Sequence, residues 1–207
     1  MLVEHRGKLL RFFGYALILF ALMFVVNSDA SAGANKFFED SWTERTQEAI
    51  FLILAVGFFA MSLRLQHVSI LATMFSGFFM LAFIRELDAL LEQNIGTGTW
   101  QVLVTVVFIA MVYQARKHWS ALQIQVRDHV ETYSFGLFIA GFLITFIFSR
   151  LIGNEELWMA IMEDGYRRNV KNAVEESTEL LGDAIFLFSG IEFLVRYSKT
   201  TSKQSSV

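Results

Sequence analysis

The 207-residue chain has no cysteine and no proline. Without a thiol there is no disulfide framework, no thiolate nucleophile and no cysteine-ligated zinc or iron–sulfur centre. Without proline, a helix that breaks inside a membrane to offer its backbone to an ion must do so at glycine. Only isolated glycines such as Gly57, Gly77, Gly141 and Gly190 are available, so straight helices packed through small residues are the default. Charge is also scarce, at 18% of residues against about 25% in soluble domains. A Gly-rich phosphate loop, a Gly-x-Ser-x-Gly elbow and a basic stripe are all missing, which leaves no sequence basis for nucleic acid as a partner.

Apolar residues are abundant instead: 55% of the chain is hydrophobic, 22 residues are Phe, and the mean hydropathy is +0.48. A helix needs about 20 apolar residues to cross roughly 30 Å of hydrocarbon. Six stretches meet or approach that length: 9–26, 49–65, 68–84, 100–113, 133–152 and 180–195. The expected fold is all-α, a polytopic membrane protein with a bundle of about six transmembrane helices and the lipid bilayer as its solvent. A single transmembrane helical domain spans 1–197, and the polar residues 198–207 read as a disordered cytoplasmic tail. The pairs Phe58-Phe59 and Phe78-Phe79 suit lipid contact and packing between helices, or the lining of an apolar groove.

The apolar run of the first stretch follows His5, Arg6, Lys8 and Arg11 and precedes Ala30-Ser31-Ala32 and Ala32-Gly33-Ala34, the pattern of a cleavable signal. Its uninterrupted run from Phe12 to Val26 is at the long limit for a signal core, and we read it as a retained anchor. With both termini cytoplasmic, that side carries ten of the 17 basic residues, the sense of the positive-inside rule. Compact loops suit a bacterial inner membrane. Acidic residues divide more sharply: Glu4, Asp128, Glu131 and Glu192 are cytoplasmic, and the other 16 of the 20 lie on the opposite side.

Two connections on the acidic side are long. Residues 27–47 begin rich in Ser, Ala and Gly and end in Ser41-Trp42-Thr43-Glu44, the spacing of a capping box that starts the second helix near Trp42. Residues 153–172 read as a surface helix capped by Asn154, with Leu157, Trp158, Ile161 and Met162 on one stripe. Such a helix either lies in the membrane interface or packs on the bundle.

The second and sixth helices can be overlaid at an offset of 135 residues, so that Thr43-Glu44 meets Thr178-Glu179 and Glu48 meets Asp183. Each enters the membrane with carboxylates four apart, hence on one face: Glu44 with Glu48, and Glu175 with Glu179 and Asp183. Like charges at that spacing need a cation, a proton or an arginine. Arg85 is the first salt-bridge candidate, sharing a face with Asp88 and Glu92 while Glu86 points elsewhere; Arg45 and Arg150 stand at a similar level. Carboxylates at the edge of an apolar bundle are costly and often mark ion or proton paths. The candidate metal-ligating set is therefore Glu48, Glu179 and Asp183, followed by Glu44, Glu86, Asp88 and Glu175.

His5, His67, His118 and His129 all map to the cytoplasmic side, so an acidic-face site would be oxygen-only. That suits calcium, magnesium or manganese as cofactor, or protons. A separate site at His118 and His129, near Asp128 and Glu131, is a weaker alternative to interface anchoring. Glu192 and Arg196, four apart, read as a local tether. Three functional classes follow. One is an integral membrane protein whose non-cytoplasmic carboxylate cluster binds or relays a cation or protons. The second is a structural, assembly or regulatory subunit with a protein partner or a homo-oligomeric interface, for which the regions around Trp42 and Trp158 offer surfaces. The third is an intramembrane metal-dependent enzyme, although no nucleophile or recognised motif accompanies the acids.

Overall fold

The computed structural model describes residues 2–32, 37 and 41–204, with side chains for 6–32, 37 and 41–199. Gly33 and Ala34 of the alternative cleavage site, Lys36, the side chains of Glu4, His5 and Lys203, and residues 205–207 of the tail lie outside that set. Among the described residues the fold is all-helical, with no strand.

Helix α1 (Leu2–Ala30) is followed by α2 (Trp42–Arg64), a short 3-10 turn (Gln66–Val68), α3 (Ser69–Glu86), α4 (Asp88–Asn94), α5 (Thr99–Lys117) and α6 (Trp119–Val130). Next, α7 (Tyr133–Phe142) passes through a π-helical turn (Leu143–Phe148) into α8 (Ser149–Ile152). The surface helix α9 (Glu155–Met162) and the long α10 (Arg168–Gln204) complete the chain. Five segments are long and apolar enough to cross a membrane: Arg6–Ala30, Trp42–Arg64, Gln66–Glu86, Thr99–Lys117 and Tyr133–Ile152. They identify a multi-pass membrane protein. The stretch at 180–195 falls inside α10 and is not among the five; Asp183 and Glu192 interrupt it, and Glu179 and Arg196 flank it.

Helix boundaries follow local chemistry. Ser41 Oγ accepts the Glu44 N–H at 3.2 Å, one half of the capping box. Asn154 caps α9 by accepting the Glu156 N–H at 2.8 Å. The α4–α5 turn takes positive φ at Gly96 (144°) and Gly98 (87°), a region that only glycine enters cheaply.

The chain forms two compact units, one of Met1–Thr46 with Ala140–Ile185 and the other of Gln47–Ile139 with Phe186–Val207. The second unit has an aromatic core. Phe58 stacks on Phe79 with ring centroids 5.6 Å apart, meets Phe193 edge-on at 5.1 Å, and Phe79 in turn meets Phe186 at 5.2 Å. Such pairs contribute about 0.5–1.5 kcal/mol beyond area burial. Phe58 and Phe79 are thus buried, whereas their neighbour Phe59 is exposed. Polar cross-links pin the helices of this unit: Ser134 Oγ donates to the Ser189 carbonyl and Ser189 Oγ to that of Ser134, at 2.9 and 2.8 Å. Ser76 Oγ reaches the Ala55 carbonyl at 2.8 Å, and Gln125 Oε1 accepts the Leu71 N–H near the start of α3 at 2.8 Å. In an apolar surround each such bond satisfies a group that would otherwise cost several kcal/mol to bury.

In the first unit, Asp29 near the end of α1 caps the start of α2. Its carboxylate accepts the N–H of Trp42 at 2.9 Å, the N–H of Thr43 at 2.7 Å and the Thr43 hydroxyl at 2.5 Å. Free amides at a helix N-terminus carry partial positive charge, so an anion is the matching cap.

Candidate functional site: a carboxylate column on α10

Lys171, Glu175, Glu179 and Asp183 recur every four residues along α10, which winds them along one face. The three acids are 9%, 6% and 1% exposed. Facing them within the same unit are Arg150 of α8 and Thr145 of the π-helical turn. Arg150 forks, with Nη1 on Glu175 at 2.9 Å and Nη2 on Glu179 at 3.0 Å. The planar guanidinium is the cation suited to holding two carboxylates at once. Lys171 pairs with the other oxygen of Glu175. The like-charge repulsion expected between Glu175 and Glu179 is therefore met by Arg150.

Asp183 is held differently. Thr145 Oγ1 donates to its Oδ1 at 3.0 Å and lies 3.5 Å from the Glu179 carbonyl oxygen. Thr145 is itself buried, and Ser149 Oγ donates to its carbonyl at 2.6 Å. The two helices can meet here because residue 182 is glycine: a Cβ there would stand 2.1 Å from Thr145 Oγ1 and 2.8 Å from its backbone nitrogen. Gly153 does the same for Glu175, whose carboxyl carbon lies 2.5 Å from where a Cβ would be. π-helical turns are rare and frequently found at functional sites.

The remaining candidates sit on α2, α3 and α4. Glu44 and Glu48 on α2 are half-buried, while the buried positions of that first stretch are Thr43 and Gln47. The face assignment around Arg85 is corrected. Arg85 Nη1 pairs with its neighbour Glu86 at 2.9 Å, because α3 ends at Glu86 and the chain turns at Leu87, so the helical spacing that aligned Arg85 with Asp88 and Glu92 is broken. Asp88 Oδ1 accepts the adjacent Ala89 N–H at 2.6 Å, and Glu92 accepts the Trp100 indole N–H at 3.0 Å. Among the described residues no three His, Asp or Glu side chains form a group that could hold a metal ion.

His129 is 1% exposed, with Nδ1 3.2 Å from the Tyr197 hydroxyl and 3.3 Å from Thr132 Oγ1. Burial, and then the positive charge of Arg196, lowers its pKa to about 4, leaving a neutral imidazole at neutral pH. Comparison of the chain with protein-family models, curated proteins and solved structures finds no match in any of the three.

Sequence reasoning identified Glu175, Glu179 and Asp183 and named Arg150 as one of three candidate arginines. It missed Lys171, Thr145 and Asp29. Lys171 was accessible through its spacing to Glu175; a lone Thr in an apolar run and an Asp at the end of an anchor carry no comparable signal.

Proposed function

We propose that this chain is a proton-handling integral membrane protein in which Asp183 is the exchanging group. The reading includes six crossings, with 180–195 of α10 as the sixth, both ends cytoplasmic and the bacterial inner membrane as location. One observation supports the choice of Asp183: at 1% exposure it is the most deeply buried acid of the column, and the hydroxyl of Thr145 donates to its Oδ1 at 3.0 Å. A hydroxyl donates to a carboxylate and accepts from a carboxylic acid, so Thr145 can serve Asp183 in both protonation states. A central helix covered by protein need not be apolar throughout, which accommodates α10 as a crossing. The acids remain the candidate site for a divalent cation of the calcium, magnesium or manganese type, but that alternative has no three-ligand group to support it among the described residues.

The test is infrared difference spectroscopy of the reconstituted protein between acidic and alkaline buffer. Protonation of any of the 20 Asp and Glu adds carboxyl C=O absorption on acidification, so the readout is one component of it: the high-frequency band of a carboxyl shielded from water should be present in wild type and in Glu156→Gln and missing from Asp183→Asn. Identical difference spectra for wild type and Asp183→Asn would overturn the assignment.

The second reading, a subunit that assembles with a partner or with itself, is favoured by a different observation. No residue in the apolar windows of Arg6–Ala30 and Thr99–Lys117 is buried within the chain. Native mass spectrometry of the detergent-extracted protein distinguishes a monomer from a homo-oligomer.

A further inference from the structure

The second unit contains a cavity of about 880 Å³ between the α2–α3 turn, α6 and the last turns of α10. Its size lies within the range of about 300–1,000 Å³ usual for small-molecule sites. The lining carries both signs of charge, Arg127, Arg196 and Lys199 against Asp128 and Glu131, together with His67. Nε2 of His67 is buried and has no hydrogen-bond partner among the described residues. The charged residues are all exposed, and the Arg196 guanidinium sits over the Tyr197 ring, 5.7 Å from its centroid.

Position along the chain sets the depth of this cavity in a membrane. His67 lies one residue inside the apolar segment Gln66–Glu86, next to the end of Trp42–Arg64, and Glu131 lies two residues before the segment Tyr133–Ile152. Helix α6 exposes Trp119, Ile124 and Val130 beside Arg127 and Asp128 while burying Gln125 and His129. A helix that shows apolar and charged side chains outward together suits the boundary between headgroups and acyl chains.

We propose that this cavity binds a zwitterionic phosphoamine, a phosphate beside an ammonium, of the kind carried by a phosphatidylethanolamine headgroup. Arg127, Arg196 and Lys199 supply donors for phosphate oxygens. Asp128 and Glu131 supply acceptors for the ammonium. A purely anionic headgroup would use the first set and be repelled by the second, so the acids are what make the site selective.

The test is native mass spectrometry of the full chain in detergent, titrated with phosphatidylethanolamine or phosphatidylglycerol of matched acyl chains, and thermal stability with soluble phosphoethanolamine. Wild type should retain phosphatidylethanolamine in preference to phosphatidylglycerol. Arg127→Gln with Lys199→Gln should weaken that retention about tenfold, as expected for loss of one or two charge-assisted bonds. Asp128→Asn with Glu131→Gln should abolish the preference between the two lipids. Because all four side chains are exposed, melting temperatures near wild type are expected, and Arg127→Gln alone provides the comparison if a double variant melts early. Stabilisation by soluble phosphoethanolamine without lipid retention would support the same chemistry with a soluble source. Retention of neither ligand, equal or greater retention of phosphatidylglycerol by wild type, or variants indistinguishable from wild type would each overturn the proposal.

Discussion

Gly182 and Thr145 meet so closely that no side chain fits between them: a Cβ on residue 182 would lie 2.1 Å from the Thr145 hydroxyl oxygen and 2.8 Å from its backbone nitrogen. Gly182→Ala must therefore push the π-helical turn off α10 and lengthen the Thr145–Asp183 hydrogen bond. Overpacking of this kind costs about 1–3 kcal/mol. The expected result is a lower melting temperature in detergent that Thr145→Ala does not fully restore, since the backbone nitrogen remains in the way. Unchanged melting in Gly182→Ala would show that the contact is looser than described.

Arg150 serves two carboxylates, so its removal should exceed the loss of an ordinary surface pair. The side chain is half exposed, at 48%, and solvent screening tempers the effect. Arg150→Gln is expected to lower stability by about 1–3 kcal/mol at neutral pH. Arg150→Lys should recover only part of it, because an ammonium lacks the planar fork. Chemical denaturation of the three proteins in one detergent reads the ranking.

Asp29 accepts three hydrogen bonds at the start of α2. Asp29→Ala should cost about 1–2 kcal/mol, in the upper range for a helix cap. Asp29→Asn should cost less, because the amide keeps one acceptor oxygen. Hydrogen exchange at the Trp42 and Thr43 amides gives the local readout, with faster exchange expected in Asp29→Ala.

His129 makes stability depend on pH. Its pKa falls from 6.5 to about 4 on folding, so the unfolded chain binds the proton more tightly. Its contribution is complete above pH 6.5 and is lost as pH falls from 6.5 towards 4, where the folded state must accept a charge in a buried site. The expected loss over that window is on the order of a few kcal/mol. The His129→Gln variant should show a shallower decline over the same window; parallel curves for the two proteins would remove His129 as the cause.

The helices were legible because their signals are long. Apolar runs of membrane length located four of the five segments to within four residues; the second run began seven residues after the observed start at Trp42, which the capping box supplied, and the caps at Ser41 and Asn154 were readable from residue type and spacing. The acidic face of α10 was legible for the same reason, since i, i+4 spacing survives whatever α10 packs against. Arg85 does hold a salt bridge within the acidic cluster, but with Glu86; its partner was misjudged because periodicity assumes an unbroken helix, and the turn at Leu87 carries no proline or glycine to announce it. Nor could the sequence show which arginine reaches the column. Arg150 does so across 25 residues to Glu175, a relationship set by tertiary packing.

The π-helical turn at Leu143–Phe148 has a consequence for insertions and deletions. A wide turn accommodates one residue more than an α-helical turn, and one residue corresponds to about 100° of rotation around a helix. Deleting one residue within the wide turn lets it close to an α-helical turn and leaves Ser149 and Arg150 in nearly the same phase relative to Ala140–Phe142. Deleting one from the regular α-helical part before it leaves the segment helical and long enough to span a bilayer, yet swings Arg150 by about 100° relative to the residues upstream, carrying the guanidinium off both carboxylates. The wide turn is thus the one place in this segment that absorbs a frame change of one residue without disturbing the aim of Arg150.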